Sequence, residues 1–281
     1  MRFWKGEALG NDYIVIDGAD LRGSLTPERI RRICDRHRGV GSDGILLADL
    51  RDDIALRIYN PDGTEAEKSG NGLRIFGAWL HGRARVKDNE WFPVRLVKDT
   101  VRMRVERRLA RGQLMIRAEM GRATFLGADV DFTPSPGETL DHELDLGDGS
   151  SARINTVSLS NRHCVVFVDQ LERSDFERRA PRLCTHPAFR EGTNVQLARV
   201  VDDRTLEAWI WERGAGETLA SGSSSCAVAA AAVKRAFVQP GTFRVNMPGG
   251  HTEVEISPDY DVKLLGPAGM VFEGELRDEV I

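Results

Sequence analysis

Glu67-Lys68-Ser69-Gly70-Asn71-Gly72-Leu73-Arg74-Ile75 returns in altered form as Leu219-Ala220-Ser221-Gly222-Ser223-Ser224-Ser225-Cys226. In both stretches Ser-Gly directly precedes an apolar run. Each therefore marks a helix start, whose first N–H groups lack intrahelical partners and can face an anion. After the first mouth, Leu73, Ile75, Phe76, Trp79 and Leu80 are dense enough for a helix buried on most sides, ending near Gly82. After the second, Cys226-Ala227-Val228-Ala229-Ala230-Ala231-Ala232-Val233 offers small side chains suited to close packing, in a helix predicted to run to about Phe237.

What surrounds the two mouths also repeats. Before the first come the strand Tyr13-Ile14-Val15-Ile16-Asp17, a helix opened by Thr26-Pro27-Glu28, the glycine-rich segment Arg38–Gly44, and strands at 45–48 and 56–59 that end in the Asn60-Pro61-Asp62-Gly63 turn. Before the second come Val157–Ser160, Asn161-Arg162-His163, the apolar run 164–168, and strands at 193–197 and 205–211. A hairpin follows the first helix (100–106 with 113–118), and strands at 252–256, 261–265 and 270–275 follow the second. The stretch 127–149, rich in Pro, Gly and acid, reads as a linker or inserted loop. This order is a diverged internal repeat of two α/β (α+β) domains, expected at 1–121, completed by 268–281, and at 122–267, with the site in the cleft between them.

At 281 residues the chain can bury two such cores without disulfides or metal. Acidic and basic residues are interspersed and the net charge is only −4, which argues against a nucleic-acid partner or a polybasic membrane anchor. The four cysteines, at 34, 164, 184 and 226, are far apart and show no zinc spacing, so no metal is expected. Met1-Arg2-Phe3-Trp4-Lys5 meets charge before a signal peptide could build, and no run of membrane length occurs, so a cytoplasmic location is expected. A homodimer is compatible with this composition.

Taken singly, each Ser-Gly is an ordinary cap. As a matched pair, the two can aim positive helix ends at one carboxylate, and a zwitterionic amino acid is the simplest ligand needing this. Asn11, Asn60, Asn71, Asn161 and Asn194 all fall at loop or strand ends. They can serve as turn residues, or as amides that bind ammonium and carboxylate without titrating. Glu212-Arg213 reads either as a solvated pair or as a carboxylate for an ammonium beside a forked cation for a distal carboxylate. His163 reads as a polar strand start or a pocket residue.

Leu9-Gly10-Asn11-Asp12, Asp35-Arg36-His37-Arg38-Gly39-Val40-Gly41-Ser42-Asp43-Gly44, Asn60–Glu67, Ser69-Gly70-Asn71-Gly72, Asn161-Arg162-His163, Thr193-Asn194 and Glu212–Ala220 together resemble the diaminopimelate epimerase family, in order and over nearly the whole chain. The resemblance implies two mirror-like domains, each a mostly antiparallel sheet around a central helix. It also implies a cofactor-independent isomerase that inverts one α-carbon of diaminopimelate, a step in lysine biosynthesis. Asn11, Asn60, Asn161, Asn194, Glu212 and Arg213 would bind substrate, and Gly70, Asn71, Gly222 and Ser223 would hold the reacting carboxylate. Ser69 and Ser221 stand where the family has its two catalytic cysteines, and Arg162 where proline is usual; in this chain Ser69 and Ser221, helped by His163 and Glu212, are the catalytic candidates.

The serines leave several readings open. The chain could be a serine variant that still epimerises, a cysteine-replaced chain that traps substrate, an amino-acid binding relative without turnover, or an isomerase of this fold using Glu212 as base. An alcohol ionises several units above a thiol, and each unit is worth about 1.4 kcal/mol.

Overall fold

The computed structural model describes residues 1–277. The chain divides into two compact units, one of Met1–Glu119 together with the segment from Leu265 onward, the other of Met120–Leu264. The last four residues of the 268–281 segment expected to complete the first domain lie outside the described residues.

In the first unit, strands Arg2–Ala8 and Asn11–Asp17 form an antiparallel hairpin, with Gly6 opposite Tyr13. Helix α1 (Pro27–Cys34) follows, capped by Thr26 Oγ1, which accepts from Arg29 N at 3.3 Å, and it buries Ile30 and Ile33. Strand Ile45–Asp49 then lies parallel to Asn11–Asp17, and Ala55–Tyr59 lies antiparallel to it. Next comes helix α2 (Gly70–Gly82), and the meander Trp91–Arg95, Thr100–Arg108, Leu114–Arg122. The sheet is completed by the far end of the chain, because Arg2–Glu7 pairs antiparallel with Gly269–Glu275 of the long strand Asp261–Glu275.

The second unit repeats this plan. A hairpin of Ser151–Ser158 and Arg162–Phe167 leads to helix α3 (Arg173–Cys184), then to Asn194–Val200 parallel to the hairpin and Thr205–Glu212 antiparallel to that. Helix α4 (Gly222–Lys234) follows, then the hairpin Gly241–Met247 with Gly250–Ile256. In both units the first strand after the buried helix pairs parallel with a strand that lies before the mouth, Ala55–Tyr59 at Ala55 with Arg95 and Thr205–Glu212 at Thr205 with Arg244. The expected α+β class and repeat are therefore present, with parallel pairs set into mostly antiparallel sheets.

Each central helix is buried for a physical reason. Every residue of α2 from Gly70 to Leu80 is buried, with Phe76 stacked on Trp79 at 5.6 Å, and Gly77 leaves room for Met103 and Ile116. Burying two such rings contributes several kcal/mol, since removing either costs about 3–5 kcal/mol. In α4 the alanines at 227 and 229–232 are fully buried, so the helix can be surrounded closely by sheet. The stretch 127–149 departs from its expected role as a linker or inserted loop. Val130, Phe132, Leu144 and Leu146 join the core of the second unit, and His142–Asp145 pairs with Ser151–Ile154. Its turn residues shape a segment packed against the core through these four side chains.

Candidate active site

Ser69 and Ser221 are the N-caps of α2 and α4, with nearly the same backbone, φ −136° and ψ 119° against φ −140° and ψ 126°. Their side chains differ. Ser69 Oγ accepts from Gly72 N at 3.0 Å and lies 3.4 Å from the Tyr13 hydroxyl, whereas Ser221 makes no side-chain capping bond.

In the first unit, Asn11, Asn71 and the helix mouth are joined by a directed chain. Fully buried Arg74 donates to Gly70 O at 3.1 Å, to Asn71 Oδ1 at 2.7 Å and to Pro267 O at 3.3 Å. Asn71 Nδ2 donates to Asn11 Oδ1 at 3.0 Å, and Asn11 Nδ2 donates to Asp43 Oδ2 at 2.7 Å. Polarity thus runs from a cation inside α2 to a carboxylate in the glycine-rich loop, fixing which face each amide presents. Burial, reinforced by the neighbouring Asp12, holds Asp43 above the ordinary carboxylate range. Burial also works to raise Asp12, but hydrogen bonds from Arg36 and Lys5 outweigh it and hold that carboxyl at about 2. Asn60 remains within its own turn, its amide donating to Thr64 Oγ1 at 3.0 Å.

The second unit holds the equivalent asparagine by other means. Asn161 Nδ2 donates to Ser223 Oγ at 3.0 Å, the same mouth position that Asn71 occupies on α2. His163 is 0% exposed, with Nε2 2.9 Å from Asn161 Oδ1 and Nδ1 3.1 Å from Gln196 Nε2, which also donates to Ser224 Oγ at 3.0 Å. An amide nitrogen only donates, so Nδ1 accepts and the imidazole proton sits on Nε2. His163 therefore stands behind Asn161 and orients its amide. Asn194 Oδ1 accepts from Arg213 N at 2.9 Å, while the Arg213 guanidinium donates to Glu191 O at 2.9 Å. Glu212 is half-buried at the end of its strand, and Arg162 pairs with Asp131 and, at 3.1 Å, with Glu191. Gln196, Arg74 and Tyr13 were missed by sequence reasoning. Each had one usable signal, a polar group at even spacing from a candidate asparagine on a strand, or at helical spacing from Gly70.

Burial pushes His163 down to about 3, so it stays neutral in the folded chain. Between that value and the ordinary 6.5 the unfolded chain binds a proton the folded chain does not, so stability is full above about pH 6.5 and falls as pH drops. The loss accumulates as pH falls through the window between the two values. Urea unfolding at stepped pH is expected to show a shallower acid slope for His163→Gln than for the parent chain, and equal slopes would refute the assignment.

Residues 3–126 and 155–271 match the profile of the family described as diaminopimelate epimerase. The chain is 39% identical to diaminopimelate epimerase 2 of Nostoc sp. over 100% of this chain and 97% of that one, and 35% identical to diaminopimelate epimerase of Pelotomaculum thermopropionicum over 98% of each. The chain belongs to the diaminopimelate epimerase family. It is an isomerase of the amino-acid epimerase class. Solved structures of the same fold include a probable proline racemase from Agrobacterium radiobacter, with a TM-score of 0.74, 15% identity, and coverage of 99% of this chain and 93% of that one. A hydroxyproline epimerase from Agrobacterium vitis has a TM-score of 0.70 at 14% identity, covering 98% and 90%. Among the described residues no cluster of three metal-ligating side chains occurs, and no helix is long and apolar enough to cross a membrane.

Proposed function

We propose that this family member inverts the α-carbon of diaminopimelate in the cytoplasm, with Ser69 and Ser221 as its two acid/base groups. The observation that carries this reading is the matched pair of N-cap serines, each at the mouth of a buried helix whose next-but-one residue is bonded to a hairpin asparagine. The N–H groups of Gly70, Asn71, Gly222 and Ser223 are the donors for an α-carboxylate, and the positive helix ends favour the charge that spreads onto it as the α-proton leaves. Asn11, Asn60, Asn161 and Asn194 add amides whose charge state does not vary with pH. Glu212 and Arg213 supply the contacts for an ammonium and a distal carboxylate.

The two units equip their asparagines differently, which suits a reaction with an acid and a base in different protonation states. Asn11 ends on a carboxylate, whereas Asn161 is backed by a neutral imidazole. Incubation with diaminopimelate in D₂O is expected to place deuterium at the α-position and to interconvert the stereoisomers. Binding by calorimetry with no exchange after prolonged incubation would refute the catalytic reading in favour of binding alone.

A further inference from the structure

Ser69 has a neighbour that the repeat does not supply to Ser221. Tyr13 is 6% exposed, and its hydroxyl lies 3.4 Å from Ser69 Oγ. Gly44 leaves room for its ring, and Gly6 lets α2 approach the same face of the hairpin. Gly6, directly opposite Tyr13 in the hairpin, leaves room for α2, since a Cβ there would lie 2.5 Å from Ile75 Cγ2. A Cβ on Gly44 would lie 2.7 Å from Tyr13 Cε1, and Gly44 adopts φ +156°. The phenol is therefore placed on the α2 face of the hairpin, beside the cap of that helix.

Resting on the epimerase reading above, we propose that Tyr13 is the proton-relay partner of Ser69. Phenols ionise near pH 10, well below an aliphatic alcohol, so an anionic pair carries its charge on Tyr13 with Ser69 donating to it. As Ser69 Oγ takes the α-proton, its own proton passes to the Tyr13 oxygen. The Cα–H and the old Ser69 O–H bonds break, two O–H bonds form, and the electron pair stays on the α-carbon. The return step runs the same bonds backwards. The 3.4 Å separation is long for a hydroxyl pair and has to shorten when substrate binds, as hydrogen bonds of this kind do.

The charged and titratable groups around the pair are identifiable. On the α2 side stand Arg74 and Lys68, the latter paired with Asp99 at 2.7 Å, and Asp43 is reached through Asn11. The carbonyl of Tyr59 backs Gly44, while its phenol, pushed up by burial, packs with Ile14 and Ile16 on the α1 side of the sheet. Lys5 and Asp12 pair at 2.5 Å on the opposite face of the hairpin, where Arg36 joins them.

The test is α-deuterium exchange on diaminopimelate from about pH 6 to about pH 11, comparing the parent chain, Tyr13→Phe and Tyr13→3-fluorotyrosine. Expected are a fall in kcat of about 10²–10⁴-fold for Tyr13→Phe with KM little changed, and loss of the rising alkaline limb of the pH profile. The fluorinated phenol, more acidic and nearly isosteric, is expected to move that limb to lower pH. Exchange by the parent with the same rate and limb in both variants would overturn the relay and leave the epimerase reading standing. No exchange by the parent would overturn both.

Discussion

The double variant Ser69→Cys/Ser221→Cys is expected to exchange the α-proton of diaminopimelate about 10²–10⁴-fold faster than the parent chain, the range a well-matched proton-transfer group contributes. A thiol starts near 8.5, and helix N-termini lower it further, whereas an alcohol starts several units higher at about 1.4 kcal/mol per unit. Each single variant should recover only part of the gain, because one turnover needs both a base and an acid. The two replacements should also differ in stability. Ser69 Oγ caps α2 through Gly72 N, so Ser69→Cys should cost about 1 kcal/mol, whereas Ser221 makes no such bond and Ser221→Cys should be nearly neutral. Exchange rates and urea midpoints measured on the three variants check both halves, and a double variant no faster than the parent would remove the serines from the chemistry.

Arg74→Met should cost about 3–5 kcal/mol, as much as deleting one of the buried rings of α2. The fully buried Arg74 donates to Gly70 O, Asn71 Oδ1 and Pro267 O, so its removal takes a donor from two buried acceptors and one half-buried one. Each orphaned acceptor costs about 1–3 kcal/mol, although Gly70 O keeps its helical bond. The loss also removes the charged end of the chain through Asn71 to Asn11. Denaturation should therefore show a lower midpoint, and calorimetry at a temperature where the variant is folded should show weaker substrate binding. Arg74→Lys should rescue only part of either effect, since a single ammonium cannot reproduce the fork.

Where side-chain pattern alone decided the structure, the sequence was readable. The alternating 100–106 and 113–118 runs became a hairpin, and the dense apolar runs behind each Ser-Gly became buried helices. Strand Arg2–Ala8 was invisible because it has neighbours on both edges and buries Phe3, Trp4, Lys5 and Gly6 in a row, leaving no alternation to see. Helix α3 was hidden by Pro181 and its many charges. Its apolar face, Phe176, Ala180, Leu183 and Cys184, has helical spacing that only becomes persuasive once the sheet beneath it is known. Gly266-Pro267-Ala268-Gly269 looked like a break, yet Asp261–Glu275 runs through it as one strand.

The site divided in the same way. Ser69, Asn71 and Asn11 announce themselves as cap and turn residues, and they do come together. Tyr13 and Gln196 lie within runs that read as core, and their roles depend on which neighbour the folded chain brings to them. Alternation gave the available hint, since Tyr13 lies two residues from Asn11 and Gln196 two from Asn194, each pair on one face of its strand.

The pairing of Arg2–Glu7 with Gly269–Glu275 also constrains the order in which the protein can assemble on the ribosome. All of Met120–Leu264 is made before residues 269–275, which complete the first sheet. The second unit can thus close on contacts already synthesised, while the hairpin that carries Asn11 and Tyr13 waits with one edge open. Strand Asp261–Glu275 begins in the second unit and ends in the first, so both halves close on one late-made strand. The half that holds Ser69 matures only after residues 269–275 have emerged.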